Sequence, residues 1–248
     1  MLAIIGGSGL SRLANLEETR RQVVRTPYGE PSGALTYGRV RGQDVVFLAR
    51  HGYDNTIPPH EVNYRANIWA LRAQDVKDVV SVASVGGIRA DLSTGTLAVP
   101  DQIIDYTSGR MTTFFSRTDH GVSHIDFTHP YCESLRRRLL EAARAAGEAI
   151  IAGGVYAATQ GPRLETAAEI NRLEGDGADM VGMTGMPEAA LARESGLCYA
   201  ALAVVVNHAA GRGESVRGIR LEDIGTVSMR AMERVGNILD RLVGLDGG

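Results

Sequence analysis

The sequence lacks the features that would place it in several large classes of protein. Its 248 residues hold only two cysteines, Cys132 and Cys198, at no metal-binding or redox spacing. The opening MLAIIGG has neither a basic n-region nor a long apolar core, so with the cysteine usage it points to a reducing cytoplasm. No apolar run approaches the roughly 18 to 20 residues that a membrane-crossing helix requires. Charge of one sign is also missing. A net charge of −3 gives no electrostatic case for nucleic acid and leaves a small neutral or anionic ligand as the better partner. There is no Pro/Ser-rich or low-complexity linker and no internal repeat, which predicts one domain over residues 1–248. The 44% hydrophobic and 22% charged content is ordinary for a soluble globular chain.

A dinucleotide fingerprint is absent too, although the start suggests one. An apolar strand, Leu2 to Ile5, runs into Gly6-Gly7-Ser8-Gly9. The pattern G-x-G-x-x-G fails in both registers: from Gly7 the third position is Arg12, and from Gly6 the second is Ser8. About twenty residues on, Thr26-Pro27-Tyr28-Gly29-Glu30 reads as a turn, with no acid at a strand end to hold a ribose. Small residues with free N–H groups and one hydroxyl suit a single phosphate, or a tight turn with no ligand.

What is present is an alternation of strands and helices. Strands are expected at Leu2–Ile5, Leu35–Val40, Asp44–Ala49, Asp78–Val85, Leu97–Ile104, Ala149–Ala158, Ala178–Val181 and Cys198–Val206. Several are continuous apolar runs, as in sheets covered on both faces. Helices are expected near Val62–Gln74, Glu133–Ala146, Thr166–Glu174, Pro187–Ser195 and Leu221–Val243. This order predicts a three-layer α/β fold with a central mixed β-sheet flanked by helices.

Six stretches could carry chemistry, each with a plain structural alternative. The first is the Ser8 turn. Leu48-Ala49-Arg50-His51-Gly52 ends a strand in two potential cations, a phosphate fork or a solvated pair. Val82-Ala83-Ser84-Val85-Gly86-Gly87 again leads a buried strand into small residues. In Gln160-Gly161-Pro162-Arg163-Leu164-Glu165-Thr166 a Gly-Pro turn delivers Glu165 to a helix start, where it complements the helix dipole or meets a ligand. Met183, before Thr184, belongs to the core or lies against a flat apolar ligand. Asn207 ends a buried apolar strand and needs partners from backbone or ligand.

Together these segments resemble the trimeric purine nucleoside phosphorylases, in their methylthioadenosine phosphorylase branch. The resemblance runs through nearly the whole chain. It is carried by IIGGSGL at 4–10, ARHGYDNTIPPHEVNYRANIWAL at 49–71, GGIRADLSTGTLAVPDQIID at 86–105, HIDFTHPYC at 124–132, GPRLETAAE at 161–169, GADMVGMTGMPEAALARESGLCYA at 177–200 and the strand ending in Asn207. It implies the phosphorylase/hydrolase-like fold and phosphorolysis, in which inorganic phosphate attacks C1′ of a purine nucleoside. Phosphate is then a co-substrate, with no metal or organic cofactor. It also implies a homotrimer, or a dimer of trimers, with sites near subunit interfaces. Ser8, Arg50, His51, Ser84 and Thr184 would hold phosphate, and Met183 would pack under the ribose. His124 would reach the 5′ end of a neighbouring subunit's site. Ala83 departs from the branch, which has a threonine there, and Ser84 is positioned to compensate.

Further departures concern the base. The adenine-specific members carry aspartate at the positions of Asn207 and Ala209 and a small hydroxyl residue at that of Glu165, whereas the 6-oxopurine members have the Glu and Asn pair. Asn207 can donate to O6 and accept from a protonated N7, and Glu165 can accept from N1–H. Leu164 lies beside this pair. At the 5′ end, Leu221 stands where the 6-oxopurine members place a histidine, with Ile224 one turn later, either as an apolar 5′ wall or as plain helix core. An oxopurine pocket with an apolar 5′ pocket specifies 5′-methylthioinosine. An adenine-type methylthio enzyme, a general inosine/guanosine phosphorylase, a hydrolytic nucleosidase and a non-catalytic nucleotide-binding module are the competing expectations.

Overall fold

Strand β1 (Leu2–Gly6) sends Ala3 and Ile5 to one face and Leu2 and Ile4 to the other, all buried. That period-two alternation with both sets apolar is the mark of a strand sandwiched between two layers. The computed structural model, which describes residues 1–10, 13, 15–115 and 122–245, repeats this pattern in the two longest strands. β11 (Cys198–His208) turns Tyr199, Ala201, Ala203 and Val205 to one core and Ala200, Leu202, Val204 and Val206 to the other. β5 (Asp78–Gly87) does the same with Val79, Ala83 and Val85 against Val80 and Val82.

The first core is covered by α1 (Tyr64–Arg72), through Ile68 and Leu71, and by α4 (Gly185–Glu194), through Ala189 and Leu191. The second is covered by α2 (Glu133–Ala146), through Leu135 and Leu139, and by α5 (Leu221–Leu245), through Val235, Ile238 and Leu239. The result is the expected three-layer α/β arrangement. A smaller third cluster forms where Ile170 and Leu173 of α3 (Ala167–Gly175) pack on Ala157 and Val181. A reciprocal capping box between Thr166 and Glu169 sets the start of α3.

The sheet is mixed. β3 (Leu35–Val40) and β4 (Gln43–Ala49) are antiparallel, and β4, β1, β5 and β11 then run parallel to their neighbours. Beyond β1, the far end of β5 pairs antiparallel with β10 (Met180–Gly182), which continues the sheet through β9 (Val155–Ala158) to β7 (Gln102–Asp105). Two expected strands are each split. Leu97–Ile104 becomes β6 (Leu97–Val99) and β7, parted at Pro100-Asp101, and Ala149–Ala158 becomes β8 (Ile151–Ala152) and β9, parted at Gly153-Gly154. Proline brings no N–H to a ladder, and Asp101 instead accepts from Gly154 N at 2.8 Å, so both breaks fall at one level.

β2 (Glu17–Gln22) has no apolar signal. It pairs with β3, and Arg20 stacks over the Tyr37 ring at 4.1 Å. The cysteines also depart from expectation: Cys132, the N-cap of α2, and Cys198, the first residue of β11, form a disulfide with their Cα atoms 5.1 Å apart. The backbone brings them together, since Cys132 N donates to Tyr199 O at 2.8 Å. Pairing depends on this spatial approach, which a separation of 66 residues does not reveal. Because disulfides are uncommon in reducing compartments, the cysteines give a cytoplasmic location no support. Among the described residues no helix is long and apolar enough to cross a membrane.

Leu202 is fully buried at the centre of β11. Leu202→Ala is expected to lower the unfolding free energy by about 2–5 kcal/mol, through lost transfer energy and a residual cavity. Denaturant titration checks this, and a loss below about 1 kcal/mol would show that the site collapses freely.

Candidate active site

The carboxyl ends of the parallel strands converge. β1 and β4 end level with each other, Gly6 opposite Ala49, and Arg50 N donates to Gly6 O at 3.0 Å. The residues that follow, Gly7-Ser8 and Arg50-His51, therefore emerge side by side. Ser84 lies on the neighbouring β5, and Met183-Thr184 follow β10, which arrives from the opposite direction. These ends open on a cleft of about 390 Å³, a size suited to a small molecule. Ligands of α/β proteins bind at the carboxyl ends of strands for this topological reason.

Asn207 enters the cleft through a bulge. Between Val205, opposite Val85, and Asn207, opposite Gly86, β11 carries one residue more than β5. A bulge re-aims the side chains that follow it, and here both Val206 and Asn207 line the cleft. Asn207 Nδ2 donates to His208 O at 2.6 Å, leaving its second N–H and its Oδ1 for other partners. Glu165 lines the same cleft, and the Thr159 hydroxyl donates to its Oε1 at 2.6 Å. Met183 lines the same cleft. Gly161 has φ +62°, and a Cβ there would sit 2.4 Å from Met183 Sδ, so the glycine gives the thioether its place.

Arg50 is the best-anchored side chain of the site and has no solvent exposure. Its Nε and Nη2 grip Glu188 of α4 at 2.7 and 2.9 Å, Nη2 also donates to Ser81 Oγ at 2.5 Å, and Nη1 donates to Val82 O at 3.0 Å. Glu188 in turn accepts from Ser81 Oγ at 2.6 Å and Tyr199 Oη at 2.8 Å. Burial alone would push the Arg50 pKa down and that of Glu188 up; the opposite charge of each partner outweighs this and keeps both ionised. Four of the five guanidinium N–H groups are thus spent inside the protein, and one on Nη1 remains toward the cleft. Gly7 passes so close that a Cβ would lie 2.6 Å from Val82 O and 3.0 Å from Arg50 Nη1.

His51 is buried beside it, with Nδ1 2.8 Å from Ile57 O. A carbonyl only accepts, so Nδ1 carries the proton and Nε2 of the neutral ring is an acceptor. Burial first, and the charge of Arg50 second, lower the His51 pKa from its ordinary value.

All the residues singled out in the sequence line this cleft except two. Leu221 is 66% exposed and outside it, because it opens the first turn of α5 and points to solvent; Ile219, just before the helix, and Ile224 form the apolar wall instead. His124 is exposed and outside the cleft of its own chain. Ser84 lines the cleft while Ala83 belongs to the core, so the hydroxyl is on the side that can meet a ligand. Sequence reasoning missed Glu188, the 55–59 loop and Ser228, a buried hydroxyl with no hydrogen-bond partner among the described residues. A lone acid in the otherwise apolar PEAALA run was the available signal for Glu188.

The fold and cleft define an α/β protein whose strand ends set small residues, Arg50 and His51 in one cleft with a carboxylate, an amide and a thioether. Residues 1–244 match the family model described as the phosphorylase superfamily, and the chain belongs to that family. It is 52% identical over 241 residues to a probable S-methyl-5′-thioinosine phosphorylase of Pseudomonas syringae pv. tomato, covering 97% of each protein. It is 46% identical to a 6-oxopurine nucleoside phosphorylase of Pyrococcus furiosus, covering 85% of this chain and 80% of the other. The structure of methylthioadenosine phosphorylase from Schistosoma mansoni in complex with adenine superposes with a TM-score of 0.93 at 32% identity, covering 99% of this chain and 91% of that one.

The depressed His51 pKa has a signed consequence. In the unfolded chain this histidine takes up a proton near pH 6.5, while the folded protein resists it, so the unfolded state binds more protons and stability falls as pH drops below about 6.5. Denaturation of wild type and His51→Asn between about pH 7.5 and 5 is expected to show the smaller acid loss in the variant; equal losses would contradict a neutral buried ring.

Proposed function

We propose that the chain is a purine nucleoside phosphorylase that cleaves 5′-methylthioinosine with inorganic phosphate, giving hypoxanthine and 5-methylthioribose 1-phosphate. The observation that carries this reading is that Glu165 and Asn207, from separate segments, line one cleft with the Ser8, Arg50 and His51 strand ends. A relative 52% identical over nearly the full length, described as a probable S-methyl-5′-thioinosine phosphorylase, supports it.

In this reading hydrogen phosphate lies on the Gly7-Ser8 turn. Its oxyanions accept from Ser8, Ser84, Thr184 and the remaining Arg50 N–H, and its P–OH donates to His51 Nε2. A phosphate oxygen forms the new bond to C1′ from one side as the C1′–N9 bond breaks on the other. The electron pair leaves into the purine, which is protonated at N7. Catalysis lies in fixing the anion below C1′ and accepting the charge that develops on the base. Asn207 Oδ1 accepts from N7–H, its second N–H donates to O6, and the free oxygen of Glu165 accepts from N1–H. Met183 forms the floor under the ribose. Adenine offers neither N1–H nor O6, and would leave the Glu165 carboxylate facing a lone pair. An unpaired buried group costs about 1–3 kcal/mol, or roughly tenfold to hundredfold in kcat/KM. The apolar Ile219 and Ile224 wall suits the methylthio group. Phosphate is the co-substrate, and the reaction needs no other cofactor.

A specific observation favours inosine-type nucleosides as further substrates. Ser228, one helical turn after Ile224, puts in the same lining a hydroxyl without a partner among the described residues, where a 5′-hydroxyl could meet it. We also read the assembly as a trimer in which His124 serves a neighbour's cleft. The exposed apolar side chains Met111, Phe115, Val122 and Ile125 on the surrounding segment support this. A native mass equal to one 26.5 kDa chain would overturn it.

Measured with and without phosphate, kcat/KM is expected to favour methylthioinosine over methylthioadenosine by about tenfold or more, with base release dependent on phosphate. Asn207→Asp is expected to shift the ratio toward the 6-amino substrate. Preference for methylthioadenosine in the wild type, or base release independent of phosphate, would contradict the assignment.

A further inference from the structure

Arg110 lies outside the cleft, on the segment that follows β7, and has no part in the reaction outlined above. Yet its guanidinium joins the two segments that deliver the base-reading and ribose-facing residues. Nη1 donates to Met183 O at 2.8 Å and Met186 O at 2.6 Å, and lies 3.3 Å from Tyr64 Oη. Nη2 donates to Gln160 O at 2.8 Å and reaches Thr159 O at 3.4 Å. Nε donates to the Gln160 side-chain oxygen at 3.2 Å, which also accepts from Ser108 N at 3.0 Å. All five N–H groups are directed at acceptors, four of the six being backbone carbonyls.

These carbonyls belong to the residues that define the slot. Thr159 is the residue whose hydroxyl holds Glu165 Oε1, and its N donates to Gly182 O at 2.8 Å, immediately before Met183. Arg110 therefore closes a ring: guanidinium to Met183 carbonyl, Gly182 to Thr159, and Thr159 back to the guanidinium, with Glu165 attached at the Thr159 corner. A planar fork with fixed donor directions sets distances among its acceptors, which the compact ammonium of lysine does not.

We propose that Arg110 is a positioning residue for base specificity: by pinning the Met183 carbonyl and the Thr159–Gln160 carbonyls to one rigid fork, it fixes how far the Glu165 carboxylate stands from the ribose floor. It acts through Glu165 and Met183 and touches no reacting atom. The proposal rests on Glu165 reading N1–H, as set out above. Of the side chains assigned to phosphate, only Thr184 adjoins carbonyls that Arg110 holds; Ser8, Arg50, His51 and Ser84 lie on strand ends it does not contact, so its effect falls mainly on the nucleoside.

The test compares wild type, Arg110→Lys and Arg110→Ala by kcat/KM for methylthioinosine and for methylthioadenosine, by KM for phosphate, and by thermal unfolding. In Arg110→Ala the methylthioinosine to methylthioadenosine ratio is expected to shrink about tenfold, the size of one mispositioned buried contact. The nucleoside KM is expected to rise several-fold while the phosphate KM changes less than threefold. Arg110→Lys, which keeps the charge but not the fork, is expected to lose most of the ratio, and it carries the same comparison if the alanine variant does not fold. A variant that loses activity equally on both nucleosides, or in which the phosphate KM rises as much as the nucleoside KM, would show a merely structural role and overturn the proposal. If the wild type itself lacks the preference for the 6-oxo base, the reading of Glu165 falls and the proposal falls with it. A wild-type preference that persists undiminished in both variants overturns the role of Arg110 alone.

Discussion

Arg50 and Glu188 form a charged pair with no solvent exposure on either side chain, clamped between the end of β4 and the start of α4. Ser81 of β5, the Val82 carbonyl and Tyr199 of β11 complete the network, so one ion pair registers three strands and a helix against one another. Such a pair is costly to desolvate and is tolerable only when every donor and acceptor is met; removing one partner leaves a buried charge alone, at about 3–5 kcal/mol. The same pair changes what Arg50 can do. Its fork is closed on Glu188, so it offers an anion one N–H and a fixed positive charge rather than two parallel bonds. The cradle must then be completed by hydroxyls and backbone N–H groups. That is why the close passage of Gly7 over Arg50 Nη1 and Val82 O matters.

From this anchor the rest of the cleft follows by strand geometry. Parallel strands bring their ends to one edge, the bulge at Val206 turns Asn207 inward, and β10, entering from the opposite direction, sets Met183 and Thr184 across from Ser84. The groups proposed to hold phosphate and those proposed to read the base thus come from different parts of the chain. Glu165 sits on a turn secured by one threonine hydroxyl, whereas Arg50 sits in the core.

Much of this was legible in the sequence. Apolar runs placed β1, β4, β5 and β11 within two residues at each end, because strands buried on both faces leave no other pattern. The breaks at Pro100 and Gly153-Gly154 were not foreseen, since local apolar content continues across them. β2 escaped because an edge strand of Glu and Arg carries no burial signal; its stacking on Tyr37 is visible only in three dimensions. The site residues were recognisable as types at strand ends, but whether Arg50 faces ligand or core depends on Glu188, 138 residues away. Leu221 fell outside the cleft because a match to a family position does not say where the first turn of α5 points, and the Cys132–Cys198 bond depends on a backbone approach that spacing does not encode.

The central claim is that one carboxylate and one amide read a 6-oxopurine in this cleft. The most direct measurement is a crystal structure with hypoxanthine and phosphate bound together. The account predicts a Glu165 oxygen within hydrogen-bond distance of N1, Asn207 spanning N7 and O6, and phosphate on the Gly7-Ser8 turn. A base turned so that Glu165 faces solvent, or phosphate lodged away from Ser8 and Arg50, would contradict it.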